Sequence, residues 1–377
     1  MSDFDDASLA LHRQKKGKLA VCSKVPLKGR EDLSVAYTPG VAAVSMAIAK
    51  DPALMYELTP KGNSVAIVSD GSAVLGLGNV GPAAAYPVME GKALLFKEFG
   101  GVDAYPLVLS TQDTDAIVEL VCNIAEGFGG INLEDIAAPR CFEVEARLKE
   151  RLAIPVFHDD QHGTAIVVLA GLINALKVVG KDLTARVVVN GAGAAGLSIT
   201  DLLLAYGFKN IVVLDSVGAL VKGRADMNSA KVAMAERTNP DGVSGDLATA
   251  LKDADVFVGV SKAGLVTGDM VRGMAKDAIV FAMANPVPEI TEEEARAAGA
   301  AVTATGRSDC ANQLNNVLVF PGLFRGALDA RIRQFDESMF LRAAVALAGL
   351  VPSPTREKII PSPFEAGVAE VIAKAVF

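Results

Sequence analysis

Apolar and polar positions along the chain fall into two alternating kinds of segment. Short apolar runs read as buried strands at residues 64–69, 102–109, 130–133, 154–156, 187–189, 211–214, 256–260, 278–283 and 301–305. Between them, residues 113–127, 165–179 and 197–206 carry apolar side chains at helical spacing. Strand followed by helix, repeated, is the signature of parallel sheets covered by helices. The order predicts an α/β protein of two domains, a smaller N-terminal one over residues 1–160 and a second over 161–377. Residues 1–36 read as polar helix and then loop around Pro26 and Gly29, while 338–350 and 364–376 read as amphipathic helices.

One stretch organises the rest. Residues 157–165 read F-H-D-D-Q-H-G-T-A, which sets Asp159 and Asp160 where a strand ends and a helix begins. A second carboxylate pair, Glu134 and Asp135, follows the strand that opens at Gly130. A strand-helix-strand unit brings successive strand ends to one edge of a sheet. Carboxylates that converge there need a cation between them. An all-oxygen set suits Mg²⁺ or Mn²⁺ rather than zinc. His158 and His162 stand four apart, like the ligands of H-E-x-x-H zinc proteases. That motif needs both histidines inside one helix, whereas here the helix is expected only after Gly163, so His162 reads as a helix-entry or pocket-wall residue.

The apolar run 187–189 leads into Asn190 and then Gly191-Ala192-Gly193-Ala194-Ala195-Gly196. This is G-x-G-x-x-G between a strand and a helix, and a second strand follows that ends at Asp215. Such a unit binds the pyrophosphate of a dinucleotide at a helix N-terminus, and the acid accepts from the ribose hydroxyls. Residues 161–377 are therefore expected to form a Rossmann-type doubly wound parallel sheet. Asp215 favours NAD, since a carboxylate repels the extra phosphate of NADP; Lys222 and Arg224 lie close enough in sequence to reverse that. Gly76, Gly78 and Gly81 have the same spacing, but Gly81-Pro82 and Pro87 argue against a clean helix after them.

Other residues have both a functional and an ordinary reading. Lys92 lies in an apolar stretch, where a lowered amine pKa makes a base; the alternative is a lysine snorkelling from a helix face. Tyr37 precedes the Pro39-Gly40 turn and reads from spacing as an edge-of-core tyrosine. Asn285, Asn315 and Asn316 are strand-end amides on the cofactor side, or plain turn residues.

Composition narrows the class. The chain has 377 residues, 51% hydrophobic and 21% charged, enough for about two domains. Its net charge of −8, without a basic stripe, argues against nucleic acid as a partner. Four scattered cysteines fit a reducing compartment. The acidic first residues lack the order of a signal peptide, and no apolar run reaches the ~18 residues of a membrane span. The expectation is a soluble, cytoplasmic protein.

Several motifs in one order carry a resemblance: A-Y-T-P-G-V at 36–41, S-D-G-S-A-V-L-G-L-G-N-V-G-P at 69–82, P-V-M-E-G-K at 87–92, G-I-N-L-E-D-I at 130–136, the 157–165 stretch, the glycine fingerprint and A-N-P at 284–286. Together they resemble the malic enzymes, in particular the short bacterial form, over almost the whole chain. The resemblance implies oxidative decarboxylation of malate to pyruvate and CO₂ with NAD(P)⁺ and Mg²⁺ or Mn²⁺. It makes Lys92 the base, Tyr37 the acid, and Glu134, Asp135 and Asp160 the metal ligands. Asp159 would support Lys92, while Asn285 and Asn316, or its neighbour Asn315, would contact cofactor and substrate. The 377 residues do not include the acetyltransferase-like extension of some bacterial members. Long eukaryotic members have a substrate-binding Arg where this chain has Ala73, and NADP-using short members often have Lys at the place of Val217. Two other readings remain: malolactic conversion of malate to lactate, and a non-catalytic nucleotide-sensing subunit. A homodimer is expected, because the apolar terminal helices look ready to bury against a partner.

Overall fold

Two all-parallel sheets carry the chain. The computed structural model describes residues 3–74 and 76–377, so Met1, Ser2 and Leu75 lie outside the described residues. The first sheet has the order β2-β1-β3-β4, from β1 (Ser64–Ser69), β2 (Asp103–Val108), β3 (Gly130–Leu133) and β4 (Val156–His158). The second has the order β6-β5-β7-β8-β9, from β5 (Val187–Asn190), β6 (Ile211–Leu214), β7 (Val256–Gly259), β8 (Ile279–Ala282) and β9 (Val302–Thr305). The first strand of this sheet, β5, lies between β6 and β7, so the order reverses there and leaves a crevice at the strand ends. Strands 64–69, 130–133 and 211–214 have the expected bounds, and most others end within a residue or two of them.

The polypeptide before β1 forms helices α1 (Asp3–Lys15), α2 (Arg30–Ala36), α3 (Val41–Lys50) and α4 (Met55–Leu58), of which α2, α3 and α4 bury no residue in the single chain. Two helical stretches, Arg30–Lys50 and Asp159–Val179, are long and apolar enough to cross a membrane by length and composition. This differs from the sequence expectation. The second stretch is a core helix, 67% buried in its apolar window, and so needs no lipid.

A long helix, α5 (Gly81–Gly100), follows the glycine-dense loop directly, where the prolines had argued against one. Pro82 falls in the first turn, where its missing N–H is not needed. Pro87 sits inside the helix and removes one backbone donor. Burial of Met89, Lys92, Ala93 and Phe96, at i, i+3, i+4 and i+7, holds the helix on the sheet regardless. Next come α6 (Thr114–Ile124), α7 (Arg140–Arg151) and α8 (Asp159–Val179). Helix α8 starts four residues earlier than Gly163. Two carboxylates in its first turn suit the positive end of the helix dipole. Gly163 belongs inside the helix because a Cβ there would stand 1.9 Å from Asp159 Oδ1.

Around the second sheet lie α9 (Ala194–Tyr206), α10 (Ser229–Arg237), α11 (Leu247–Leu251), α12 (Gly268–Arg272) and α13 (Glu292–Ala297). The last helices, α14 (Phe320–Ala330), α15 (Glu337–Gly349) and α16 (Val368–Lys374), return to the first half of the chain. Phe96 on α5 meets Phe320 and Phe324 on α14 at ring distances of 4.6 and 5.4 Å. One apolar cluster runs from β1 and α5 through α8 to β5 and α14. Residue 160 therefore lies in a helix that both sheets share.

Asn174 in α8 is fully buried, and its amide donates to Ala348 O and Ile359 O, each at 2.9 Å. Replacing it removes donors from two buried carbonyls, at about 1–3 kcal/mol for each unsatisfied group. Asn174→Ala is expected to lower the urea midpoint by the equivalent of about 2–4 kcal/mol. An unchanged midpoint would show that these bonds do not anchor the C-terminal helices.

Candidate active site

Register places the acids. Strands β3 and β4 are parallel neighbours with Leu133 opposite His158, so the residues that leave each strand emerge side by side. Glu134 and Asp135 come from one, Asp159 and Asp160 from the other. One oxygen each of Glu134, Asp135 and Asp160 lie within 4.8 Å of one another. Asp135 N–H donates to Asp160 Oδ2 at 2.8 Å, and Asn132 Nδ2 donates to Glu134 Oε2 at 2.9 Å. Asp135 takes a left-handed φ of 55°, which turns the chain sharply out of β3.

The cluster fits a divalent cation. Asp135 Oδ2 is buried without a hydrogen-bond partner, an acceptor left over after the protein's own donors are used. Burial, the Asp160 charge and the Glu134 charge push the Asp135 carboxyl up to about 9. Burial likewise raises Glu134 to about 7 and Asp160 to about 6. Acids so crowded hold protons unless a cation takes their place.

Lys92 points from α5 into this group. Its Nζ is 2.9 Å from Glu134 Oε1, donates to Asp159 Oδ2, and lies 4.1 Å from the centre of the Phe320 ring. It is neither solvent-facing nor snorkelling. The expected lowering of its pKa is not found. Burial acts in that direction, but Asp159 and Glu134 outweigh it and hold the ammonium above its ordinary value. In the metal-free cluster Lys92 is an acid's counter-ion, and anything that occupies Glu134 weakens that pull.

The two histidines go separate ways. His162, in the helix, sets Nε2 2.9 and 3.0 Å from the oxygens of buried Glu145. His158 ends β4, wholly buried, with Nε2 4.0 Å from Asp160 Oδ2. Burial lowers its pKa to about 4. They do not form a shared ligand pair.

Tyr37 does not join the buried cluster in the single chain; it is 65% exposed. The paired asparagines divide. Asn315 Oδ1 accepts from Val317 N at 2.9 Å and caps a short helical turn. Asn316 is the one at the acids: a Cβ built on Gly163 would stand 3.1 Å from Asn316 Cβ. Asn285 lies where the two halves of the chain meet, since a Cβ on Gly76 would come 2.6 Å from Asn285 O.

The glycine fingerprint sits at the reversal point of the second sheet. Gly191 has φ 125°, Gly193 precedes α9, and a Cβ on Gly196 would stand 1.7 Å from Gly191 O. Ala194 and Ala195 open the helix, and Ala192 packs against the core. The arrangement fits a dinucleotide pyrophosphate at the α9 N-terminus. Asp215 ends β6 as expected, but its Oδ2 accepts from Arg224 and, at 2.7 Å, from Lys231 Nζ. Burial opposes its charge; those two cations and the Val217 N–H outweigh burial and hold the carboxyl below its usual range.

Some residues of the site were not singled out beforehand. Asn132 orients Glu134, and its place two residues earlier on the same strand face was a usable signal. Phe320 under Lys92, and Lys231 on Asp215, come from far along the chain and had none. Arg140 bonds Asp70 Oδ2 at 2.8 Å and Ser72 Oγ at 2.9 Å, beside Ala73.

The chain is similar to known proteins over most of its length. The malic enzyme N-terminal domain profile matches residues 16–149, and the malic enzyme NAD-binding domain profile matches 161–376. The bifunctional malic/malolactic enzyme of Bacillus subtilis is 56% identical over 98% of this chain and 92% of its own length. The NAD-dependent malic enzyme of Geobacillus stearothermophilus is 56% identical over 96% of this chain and 76% of its own. The crystal structure of the NAD-dependent malic enzyme of Thermotoga maritima superposes with a TM-score of 0.94 at 48% identity, covering 98% of each chain. Two matched domains in the same order, and relatives that share half of its residues over nearly the whole of this chain, leave one assignment: the chain belongs to the malic enzyme family of decarboxylating oxidoreductases.

Proposed function

We propose that this chain converts L-malate to pyruvate and CO₂ with reduction of NAD(P)⁺, with Glu134, Asp135 and Asp160 holding Mg²⁺ or Mn²⁺. One observation carries the reading: a buried amine, Lys92, stands 2.9 Å from Glu134, itself one of three converging acids. A nucleotide sensor needs the glycine turn alone and has no use for this group. When bound, the cation supplies Lewis-acid polarisation of the malate C2 oxygen, and the nicotinamide supplies the hydride acceptor. With Glu134 engaged by the cation, Lys92 would lose its proton to solvent and, as the neutral amine, take the C2 hydroxyl proton, while Asp159 keeps the amine aimed. The 3-keto acid then loses CO₂, and Tyr37 protonates the enolate carbon. Asn285 and Asn316 bind cofactor and substrate amide-fashion, and Asn315 supports that turn. The division of labour follows the 160/161 boundary, with metal and base on one side and cofactor on the other.

The partner in this reading is a second copy of the chain. The apolar helix α3 buries nothing in the single chain, and Val35, Tyr37 and Met46 are exposed with it. A homodimer covers these faces and gives Tyr37 a buried setting. The same burial removes the need for a membrane around residues 30–50, and the cytoplasm is the proposed location. A malolactic side activity is the second reading, favoured by similarity to a relative whose name includes it.

Cofactor choice follows from Asp215. Its charge still disfavours a 2′-phosphate, but Arg224 and Lys231 offset it, so NAD is preferred and NADP accepted. In an initial-rate assay with malate and Mn²⁺, kcat/KM for NAD⁺ is expected to exceed that for NADP⁺ by no more than about tenfold, or about 1.4 kcal/mol. Lys92→Ala is expected to lower kcat by about 10²-fold or more. Lactate in place of pyruvate would favour the malolactic reading, and Mn²⁺-independent turnover would overturn the metal assignment.

The acids also set a stability signature. Their folded pKa values lie above the ordinary carboxylate range, so the metal-free fold holds protons that the unfolded chain has released. That stabilisation is present at low pH and is lost as pH rises through about 6 to 9. With EDTA, the thermal midpoint is expected to fall between pH 6 and 9, and Mn²⁺ is expected to restore it most at the upper end. A Mn²⁺ shift that is the same at every pH would count against the cluster as the binding site.

A further inference from the structure

Glu289 is a further buried carboxylate, on the cofactor side. It is fully buried in the loop after β8. Its bonds go to main-chain N–H groups: Oε1 accepts from Ser261 N at 2.9 Å, and Oε2 accepts from Ala284 N at 3.0 Å. Burial raises its pKa, and these bonds oppose the rise. It is also wedged tightly, since a Cβ on Gly259, the last residue of β7, would stand 2.5 Å from Glu289 Cδ.

Those bonds belong to a chain across three adjacent strand ends. Asn190, the residue before the glycine fingerprint, donates from Nδ2 to Ser261 Oγ at 2.9 Å. Ser261 follows β7 and Ala284 follows β8, so Glu289 joins the loops after β7 and β8 while Ser261 passes the link to β5. Ala284 in turn precedes Asn285. The Asn285 amide is confined from the other side: a Cβ on Gly306 would stand 2.7 Å from Asn285 Nδ2. Gly76 of the N-terminal half presses on Asn285 O, and Arg307 Nη1 donates to Pro286 O at 3.0 Å.

We propose that Glu289 is a positioning residue that locks the Ser261 and Ala284–Asn285 loops to the glycine fingerprint, and so sets where a bound nicotinamide stands relative to the substrate. The property that matters is acceptance at both oxygens. A glutamine fills the same volume but turns an NH₂ toward one of the two N–H donors, which frees one loop. For catalysis the inference rests on the proposed malate reaction; for nucleotide binding it does not.

The test uses the full chain and Glu289→Gln. NADH binding, followed by nicotinamide fluorescence, is expected to weaken about tenfold. The primary isotope effect with 2-deuterated malate is expected to rise, because a misplaced nicotinamide makes hydride transfer slower than the other steps. If Glu289→Gln melts earlier yet keeps wild-type NADH affinity and isotope effect, the residue is structural only and the proposal is overturned. Should that variant not fold, Ser261→Ala at an exposed position cuts the link to Asn190, with NADH affinity expected to drop about threefold; unchanged affinity would overturn the proposal. A wild-type chain that binds NADH but does not oxidise malate defeats the reaction reading alone, and the NADH arm still decides the role of Glu289.

Discussion

Four carboxylates and one ammonium share a nearly dry space at the end of the first sheet. Glu134, Asp135, Asp159 and Asp160 face Lys92, and full ionisation leaves three negative charges without a counter-ion. Burying one unpaired charge already costs several kcal/mol, so the group exists only with protons or a cation in it. The rest of the structure serves that imbalance. Parallel pairing of β3 and β4 sets two chain exits beside each other. The start of α8 directs its dipole at two of the acids. Helix α5 submits a lysine on the very stripe that packs on the sheet, and Phe320 closes the underside of its amine.

Such a group is unstable as a resting core and useful as a site. Lys92 is pinned by two acids and so carries its proton strongly. The proton affinity of the amine therefore depends on how far Glu134 is engaged elsewhere, which in the proposed reaction would couple Lys92 as base to occupancy of the acids. A lysine in a plain apolar pocket would have a low pKa at all times and no such dependence.

Much of this was legible before the fold was known. Strands are fully buried apolar runs, and both α/β units and the G-x-G-x-x-G turn follow from period and spacing. The misreadings have local physical causes. Pro82 and Pro87 were weighed as helix breakers, although one occupies a first turn and packing outweighs the other. The start of α8 was placed past Gly163; the helix instead opens at Asp159, whose side chain one turn earlier leaves room only for glycine at 163. Arg224 was read as close enough to offset Asp215 and does bond it, whereas Lys222 pairs with Glu236 instead and Lys231, sixteen residues on, supplies the second cation. Lys92 was left between two readings, although its spacing from Met89 and Phe96 already put it on the buried face. Partners brought in by long-range packing, such as Phe320, have no local trace.

Tyr37 marks the boundary of what one chain can do. Lys92, Glu134, Asp135 and Asp159 are buried by the elements that hold them, whereas the first three helices before β1 leave apolar side chains such as Val35, Val41 and Met46 in water. Exposing that much apolar surface is costly at ~25 cal/mol per Å². A second copy of the chain is the surface that always accompanies it at the same concentration. In the proposed homodimer the contact that covers this face would also order the phenol, which would tie association to the proposed acid step. Under that proposal, stability of the N-terminal segment and turnover would rise and fall together with dimer formation.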